Sequence, residues 1–323
     1  MSDGSLIFKP IEAEFDEFKS RYSSLFSCPN PAVDLMLKFL LQRNGKMMRP
    51  ALVLLVAKCF GAIPDKIYHL ASAVELVHQG SLIHDDVVDE SEIRRGKSSV
   101  NATFDNRLAV LFGDFIVSKS LQEVVATQSI RCINDISTLI GTLSAGEITQ
   151  LDVLKSDTLS EETYFEIITG KTASLFTACT TLSASLCGAT DDQVEAFRTY
   201  GNIVGLCFQI MDDILDYHDS KDTGKPSGND LKEGKFTLPA IYALTHSDRN
   251  WSAHIKAIRS LSATPEQIRE VTEYSVFNGG IDYAVRKMQE LKDHAIKFLP
   301  ATIPAPLRTA LISYLEVIVN RSK

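Results

Sequence analysis

Apolar residues recur at three- and four-residue steps through most of the chain. Ile67, Leu70, Ala71, Val74, Val77 and Leu82 make one such stripe over 65–84, the spacing that gathers side chains on one face of an α-helix. Comparable stripes run over 108–125, 133–154, 174–186, 193–217 and 281–298. Helix starts are marked by Asp65, by Ser160 with Glu161 and Glu162 behind it, and by Thr264-Pro265-Glu266. No run alternates β-branched and polar residues as a half-buried strand does. The pattern predicts an all-α bundle of about ten or more helices. No Pro/Gly/Ser-rich linker divides it, so 1–323 reads as a single helical domain. Two segments break the periodicity as long loops, 90–101 and 219–237, and each follows an aspartate cluster.

Composition narrows the partners. With 33 basic against 41 acidic residues the net charge is −8, which argues against nucleic-acid binding. An anionic ligand must then be met by local basic clusters or by metal ions. The 6 cysteines form no C-x-x-C pair and sit mostly inside apolar runs, as free thiols do in a reducing compartment, here read as the cytoplasm. The N-terminus lacks the basic-then-apolar plan of a signal peptide. No apolar run approaches the roughly 20 residues of a membrane span.

The chain echoes itself once: Leu82-Ile83-His84-Asp85-Asp86-Val87-Val88-Asp89 resembles Gln209-Ile210-Met211-Asp212-Asp213-Ile214-Leu215-Asp216. On a helix Asp85 and Asp89 project side by side, with Asp86 about 100° round. Like charges at this spacing repel, and their neighbours are apolar, so helix stability does not explain them. One such cluster reads equally well as a solvated acidic helix end. Two copies point to divalent cations with oxygen ligands, Mg2+ foremost, completed by water and phosphate. A Gly-containing basic segment follows each cluster: Arg94-Arg95-Gly96-Lys97, and Lys225 through Lys235. Metal on some oxygens and Arg or Lys on the rest is what a diphosphate needs. Lys46, Arg49, His78, Lys171, Thr172 and Gln209 are uninformative taken singly.

Taken together, the order G-K-x-x-R-P (45–50), L-I-H-D-D-V-V-D-E-S-E-I-R-R-G-K (82–97), G-D-F (113–115), G-E-I-T-Q (146–150), G-K-T-A-S-L-F (170–176), F-Q-I-M-D-D-I-L-D (208–216) and G-K-P-S-G-N-D-L-K-E-G-K (224–235) resembles the trans-isoprenyl diphosphate synthases. The likeness spans roughly 40–245, and the segment after 250 adds little to it. It implies an all-α bundle, usually homodimeric, around a central cavity walled by the two aspartate helices. It implies that Asp85, Asp86, Asp89, Asp212, Asp213 and Asp216 hold Mg2+, three ions per site, on an allylic diphosphate such as farnesyl diphosphate. Arg94, Lys171, Lys225 and Lys235 would hold that same diphosphate. Lys46, Arg49, His78 and Arg95 would hold isopentenyl diphosphate, and Thr172 and Gln209 would line the place where the allylic cation forms. One departure is Met47, where the family usually carries a basic residue. The isopentenyl site is therefore expected to be less electropositive. The tail Arg321-Ser322-Lys323 could help close the isopentenyl site, but reads first as a solvated terminus.

Product length is expected to follow from the residues behind Asp85. Gly80 and Ser81 lie about 6–7.5 Å back along the helix, where family members that stop at C15 typically place an aromatic residue. Two small residues, with Val77, Val74 and Ala73 beyond, predict an open passage and a product longer than C20, in the hexaprenyl to nonaprenyl range. Close helix packing is the other reason for Gly80. The floor is expected on the helix around 133–143. The alternatives are a C15 or C20 synthase, a terpene cyclase and a regulatory partner subunit. A cyclase is disfavoured by the second D-D-I-L-D and by the second set of basic residues. A partner subunit is disfavoured because all the aspartates are present.

Overall fold

The computed structural model describes residues 4–43, 45–94, 96–218 and 228–321. Its helices are α1 (Ser5–Phe8), α2 (Glu12–Ser24), α3 (Pro31–Leu41), α4 (Met48–Lys58), α5 (Asp65–Val88), α6 (Val100–Phe104), α7 (Asn106–Ala126), α8 (Ile130–Val153) and α9 (Glu161–Ile168). They continue with α10 (Ser174–Leu186), α11 (Asp191–Leu215), α12 (Asn229–Lys232), α13 (Leu238–Thr245), α14 (Ser252–Arg259), α15 (Pro265–Phe277), α16 (Gly280–Phe298) and α17 (Ala305–Val319). The stripes of the sequence are α5, α7, α8, α10, α11 and α16 to within a few residues. Ser160 caps α9 through the Thr163 N–H, while Thr190 and Thr264 form reciprocal boxes with Gln193 and Gln267. These satisfy N–H groups that a first turn leaves unpaired.

Every residue from Pro50 to Ala57 in α4 is buried, as in a helix surrounded on all sides. α5 packs against α4, α7 and α10, and α11 packs against α10 and α16. The buried apolar side chains form one contiguous cluster that includes Ile7 and Ile318.

The two loops behave differently from each other. Within 90–101 lies a two-stranded antiparallel ribbon, β1 (Ile93–Arg94) and β2 (Lys97–Ser98), with Arg94 opposite Lys97. The fold is all-α as expected, and this ribbon is the only sheet among the described residues. Gly96 at φ 73° supplies the turn that the strands need. Of the second loop, 219–227 lie outside the described residues, and the rest contains α12.

Candidate active site

Both aspartate clusters stand at helix C-termini. Asp85 and Asp86 occupy the last turn of α5 with Asp89 as its C-cap, and Asp212 and Asp213 occupy the last turn of α11 with Asp216 as its C-cap. A helix C-terminus already carries about half a negative charge and is stabilised by cations. Neither last turn contains a basic residue. Each cluster therefore adds negative charge where the backbone least tolerates it, a place suited to a cation.

Within each cluster one carboxylate turns inward. Asp86 is 3% exposed and accepts the Arg94 Nε–H at 2.5 Å, while its backbone carbonyl accepts from Asn101 Nδ2. Asp213 is 4% exposed; its Oδ2 accepts from the Tyr164 hydroxyl at 2.6 Å and its Oδ1 from Gln209 Nε2 at 2.8 Å. Thr172 donates in turn to Gln209 Oε1 at 2.8 Å, so Thr172, Gln209, Asp213 and Tyr164 form one chain. Asp216 accepts the backbone N–H groups of Asn229 and Asp230, tying α12 to the end of α11. Asp85, Asp89 and Asp212 are half-buried, with Asp89 meeting Lys235 and Asp212 meeting Arg321.

Their electrostatics are those of a site short of positive charge. Burial pushes the Asp85 carboxyl up to about 6, opposed by Lys171 and reinforced by Glu147 and Asp89. Burial pushes Asp213 up to about 7 despite the bonds from Tyr164 and Gln209, with Asp212 and Asp216 adding to the rise. Asp230 is raised well above the usual range by burial, with Asp213 and Asp216 adding to it.

Among the described residues no three carboxylate, imidazole or thiol groups converge into a metal cage. The six aspartates expected as one ligand set are thus divided into two buried members, Asp86 and Asp213, and four half-buried ones. This fits Mg2+, which keeps several waters and binds through one or two carboxylates plus substrate phosphate. The half-buried oxygen donors of Asp85, Asp89 and Asp212 are suitable ligands for it.

Most of the described basic residues at the site already have a partner or a platform. Arg94 meets Asp86, Lys171 Nζ lies 2.6 Å from Glu147 Oε2, and Lys235 Nζ lies 2.6 Å from Glu233 and 3.3 Å from Asp89. Burial opposes the charge on Lys235, but Glu233, Asp89 and Asp230 more than offset it and raise its pKa. Lys171 belongs to a π-helical turn, Thr169–Ala173, a distortion common at functional sites. Gly146 of α8 lies flush against it, since a Cβ there would stand 2.8 Å from Lys171 N. Arg49 lies 4.6 Å from the Phe176 ring and 5.6 Å from Phe208, and His78 is buried on α5. Lys46 is exposed just before α4. Met47 has φ 49°, a left-handed backbone that costs a non-glycine residue about 1 kcal/mol or more. Arg95 and Lys225 lie outside the described residues.

The polyprenyl synthetase family model matches residues 30–275. This chain belongs to that family. It is 33% identical over 286 residues to the octaprenyl diphosphate synthase of Escherichia coli, covering 88% of each chain. It is 33% identical over 317 residues to the all-trans-nonaprenyl diphosphate synthase of Rhodobacter capsulatus, covering 98% and 97%. Among solved structures, a polyprenyl synthase of Caulobacter crescentus superposes with TM-score 0.92 at 30% identity over 99% and 98% of the two chains. A geranylgeranyl pyrophosphate synthase of Bacteroides thetaiotaomicron superposes at 0.86 with 39% identity over 98% and 99%. The protein is a prenyltransferase, of a family that uses magnesium to join isopentenyl and allylic diphosphates. None of the described helices is long and apolar enough to cross a membrane.

In this polyprenyl synthetase a cavity of about 290 Å³ leads away from Asp85 between α5, α7 and α8, walled by Val77, Ser81, Val117, Ile140 and Leu143. Gly80 is a correction. It does not face this cavity; a Cβ on it would lie 2.8 Å from Val117 Cγ2, so its smallness serves the contact of α5 with α7. Ala73 and Val74 are fully buried and likewise off the cavity wall. A second cavity, of about 140 Å³, lies beside Asp213 and is lined by Tyr164, Lys171, Gln209, Lys235 and Arg259, among others.

Four residues at the site escaped the sequence reading. Glu147 stood inside the quoted G-E-I-T-Q motif, but nothing there announced that it would pair with Lys171. Asp230 belonged to the second basic loop. Tyr164 has no local signal, because only the crossing of α9 over α11 brings it to Asp213. Arg321, expected in a solvated tail, instead pairs with Asp212 and lies 4.8 Å from the Phe208 ring.

Proposed function

We propose that this polyprenyl synthetase makes a long-chain all-trans polyprenyl diphosphate, beyond C20, for a quinone side chain. The observation that carries this reading is the cavity running from Asp85 past Ser81 to Val77, charged at its Asp85, Glu147 and Lys171 end, with an apolar wall of Val77, Val117, Ile140 and Leu143 and no Phe, Tyr or Trp among its described lining. The curated octaprenyl and nonaprenyl relatives support it. The geranylgeranyl neighbour favours a C20 product as the second reading.

In this reading Asp85, Asp89 and Asp212 hold magnesium, three ions per site. Asp86, Asp213 and Asp216 anchor the helix ends that present those ligands. Magnesium, when bound, supplies the positive charge that makes diphosphate a good leaving group. Lys171, Lys235 and Arg94 exchange their carboxylate partners for the allylic diphosphate and stabilise the charge it gains as the C–O bond breaks. Lys225 joins them on motif position. Lys46, Arg49 and His78, with Arg95 on motif position, hold isopentenyl diphosphate so that its double bond faces the cation. Thr172 and Gln209 turn their polar atoms toward each other and toward Asp213, which leaves the cation beside apolar and weakly basic surface. The new carbon–carbon bond forms, and a proton passes to the released diphosphate, since no side chain is placed as a dedicated base. The apolar wall excludes water that would otherwise capture the cation.

The chain works as one catalytic domain, 1–323, in the cytoplasm, consistent with six free cysteines. It pairs as a homodimer through α7 and α8, which expose Leu108, Leu111, Val125, Ile130 and Ile148. Purified protein with Mg2+, farnesyl diphosphate and labelled isopentenyl diphosphate tests the function. Products beyond C20 support the long-chain reading, a stop at C20 selects the second, and no turnover with any allylic primer refutes both.

A further inference from the structure

Lys235 has no helix to hold it. It lies in the irregular segment between α12 and α13, yet its ammonium must reach from the end of α11 to Asp89 at the end of α5, 3.3 Å away. Its own N–H is tied to the Asp230 carbonyl at 2.8 Å. The residues on either side are held by a single side chain from outside the motif region. Arg259, the last residue of α14, donates from Nη1 to the Gly234 carbonyl at 2.9 Å, and its guanidinium lies 5.0 Å from the centroid of the Phe236 ring. Arg259 is 8% exposed, and its Nε meets no acceptor among the described residues.

A guanidinium buried this deeply is costly, and a Leu or Met would fill the volume without that cost. What an apolar residue could not do is grip a carbonyl and an aromatic face at once. Those two contacts bracket Lys235.

We propose that Arg259 is a positioning residue for allylic diphosphate binding, acting by fixing the backbone on both sides of Lys235. The proposal rests on Lys235 contacting the allylic diphosphate. A displacement of about 1 Å at such a group costs up to about 10²-fold, so Arg259→Met should raise KM for the allylic diphosphate by about tenfold while leaving KM for isopentenyl diphosphate unchanged. Phe236→Leu, which removes only the aromatic platform, should shift the same constant in the same direction and by less.

The test is a steady-state comparison of Arg259→Met, Phe236→Leu, Lys235→Ala and the Arg259→Met/Lys235→Ala double variant, with thermal melts alongside. An allylic-specific rise in KM, and a double variant no worse than Lys235→Ala alone, is the expected result. Equal losses for both substrates, or additive losses in the double variant, would overturn the proposal. If Arg259→Met does not fold, Phe236→Leu decides by the same two criteria. An unchanged allylic KM in Lys235→Ala would instead show that the underlying assignment of Lys235 is wrong, and the positioning role falls with it.

Discussion

Ser81→Phe should shorten the product, whereas Gly80→Ala should not. Ser81 is four residues before Asp85 on α5 and Val77 is eight, which places them about 6 Å and about 12 Å back along the axis. Each isoprene unit extends the chain by four carbon–carbon bonds of about 1.5 Å, roughly 5 Å in all. A phenyl ring entering the cavity of about 290 Å³ at Ser81 therefore removes about 6 Å of path, at least one isoprene unit. The serine hydroxyl donates to the His78 carbonyl of its own helix at 3.0 Å, so little else is lost. Gly80 faces α7 instead. Its new methyl group must push Val117 aside, an overpacking cost of about 1–3 kcal/mol, offset by about 1 kcal/mol of helix propensity. The net is a loss of about 0–2 kcal/mol, visible in a thermal melt, with chain length untouched. The assay is chain-length analysis of dephosphorylated products from farnesyl diphosphate and labelled isopentenyl diphosphate. An active Ser81→Phe enzyme with unchanged product, or a Gly80→Ala enzyme with equally shortened product, would refute the assignment of the cavity.

Asp85→Ala should lower kcat by about 10²-fold or more while the protein keeps its helical circular dichroism; wild-type turnover would remove Asp85 from the metal site. Tyr164→Phe leaves a buried oxygen of Asp213 without its donor and should cost about 1–3 kcal/mol of stability. It should also raise the Mg2+ concentration needed for half-maximal rate, and an unchanged magnesium titration would show the bond to be idle. Asp85 and Asp213 have folded-state pKa values of about 6 and about 7, above the unfolded value of about 3.9. The metal-free fold then binds more protons than the unfolded chain between these values, so their contribution to stability falls as pH rises from about 4 through 7. Melting temperature should drop across that window without metal, and Mg2+ with inorganic diphosphate should flatten the drop. A slope unaffected by the ligands would contradict the site.

The helices were legible because burial imposes a 3.6-residue period, and α5, α10 and α11 follow the stripes closely. The aspartates were legible because their repetition had no structural excuse. Which way each points was not. Asp86 and Asp213 differ from Asp85 and Asp212 only by about 100° of rotation, and what occupies that direction is decided by Arg94 and Tyr164 from elsewhere in the chain. Gly80 shows the same limit: its small size was visible, but whether a cavity or α7 stood opposite was a tertiary fact. Arg259 and Arg321 belong to the segment after 250 that carried little of the family likeness, and only packing brings them to the site.

The internal ion pairs have a consequence for discrimination. Arg94, Lys171, Lys235 and Arg321 are each engaged by a carboxylate before any ligand arrives, so binding is an exchange of partners and not the capture of idle charge. A lone phosphate must displace those carboxylates with no compensation for the anions it sets free. In the proposed function a diphosphate arriving with magnesium brings cations for Asp89 and Asp212, which Lys235 and Arg321 now engage, and oxygens for the bases in one event. On that reading the site should discriminate against a lone inorganic phosphate and favour the diphosphate that arrives with its metal.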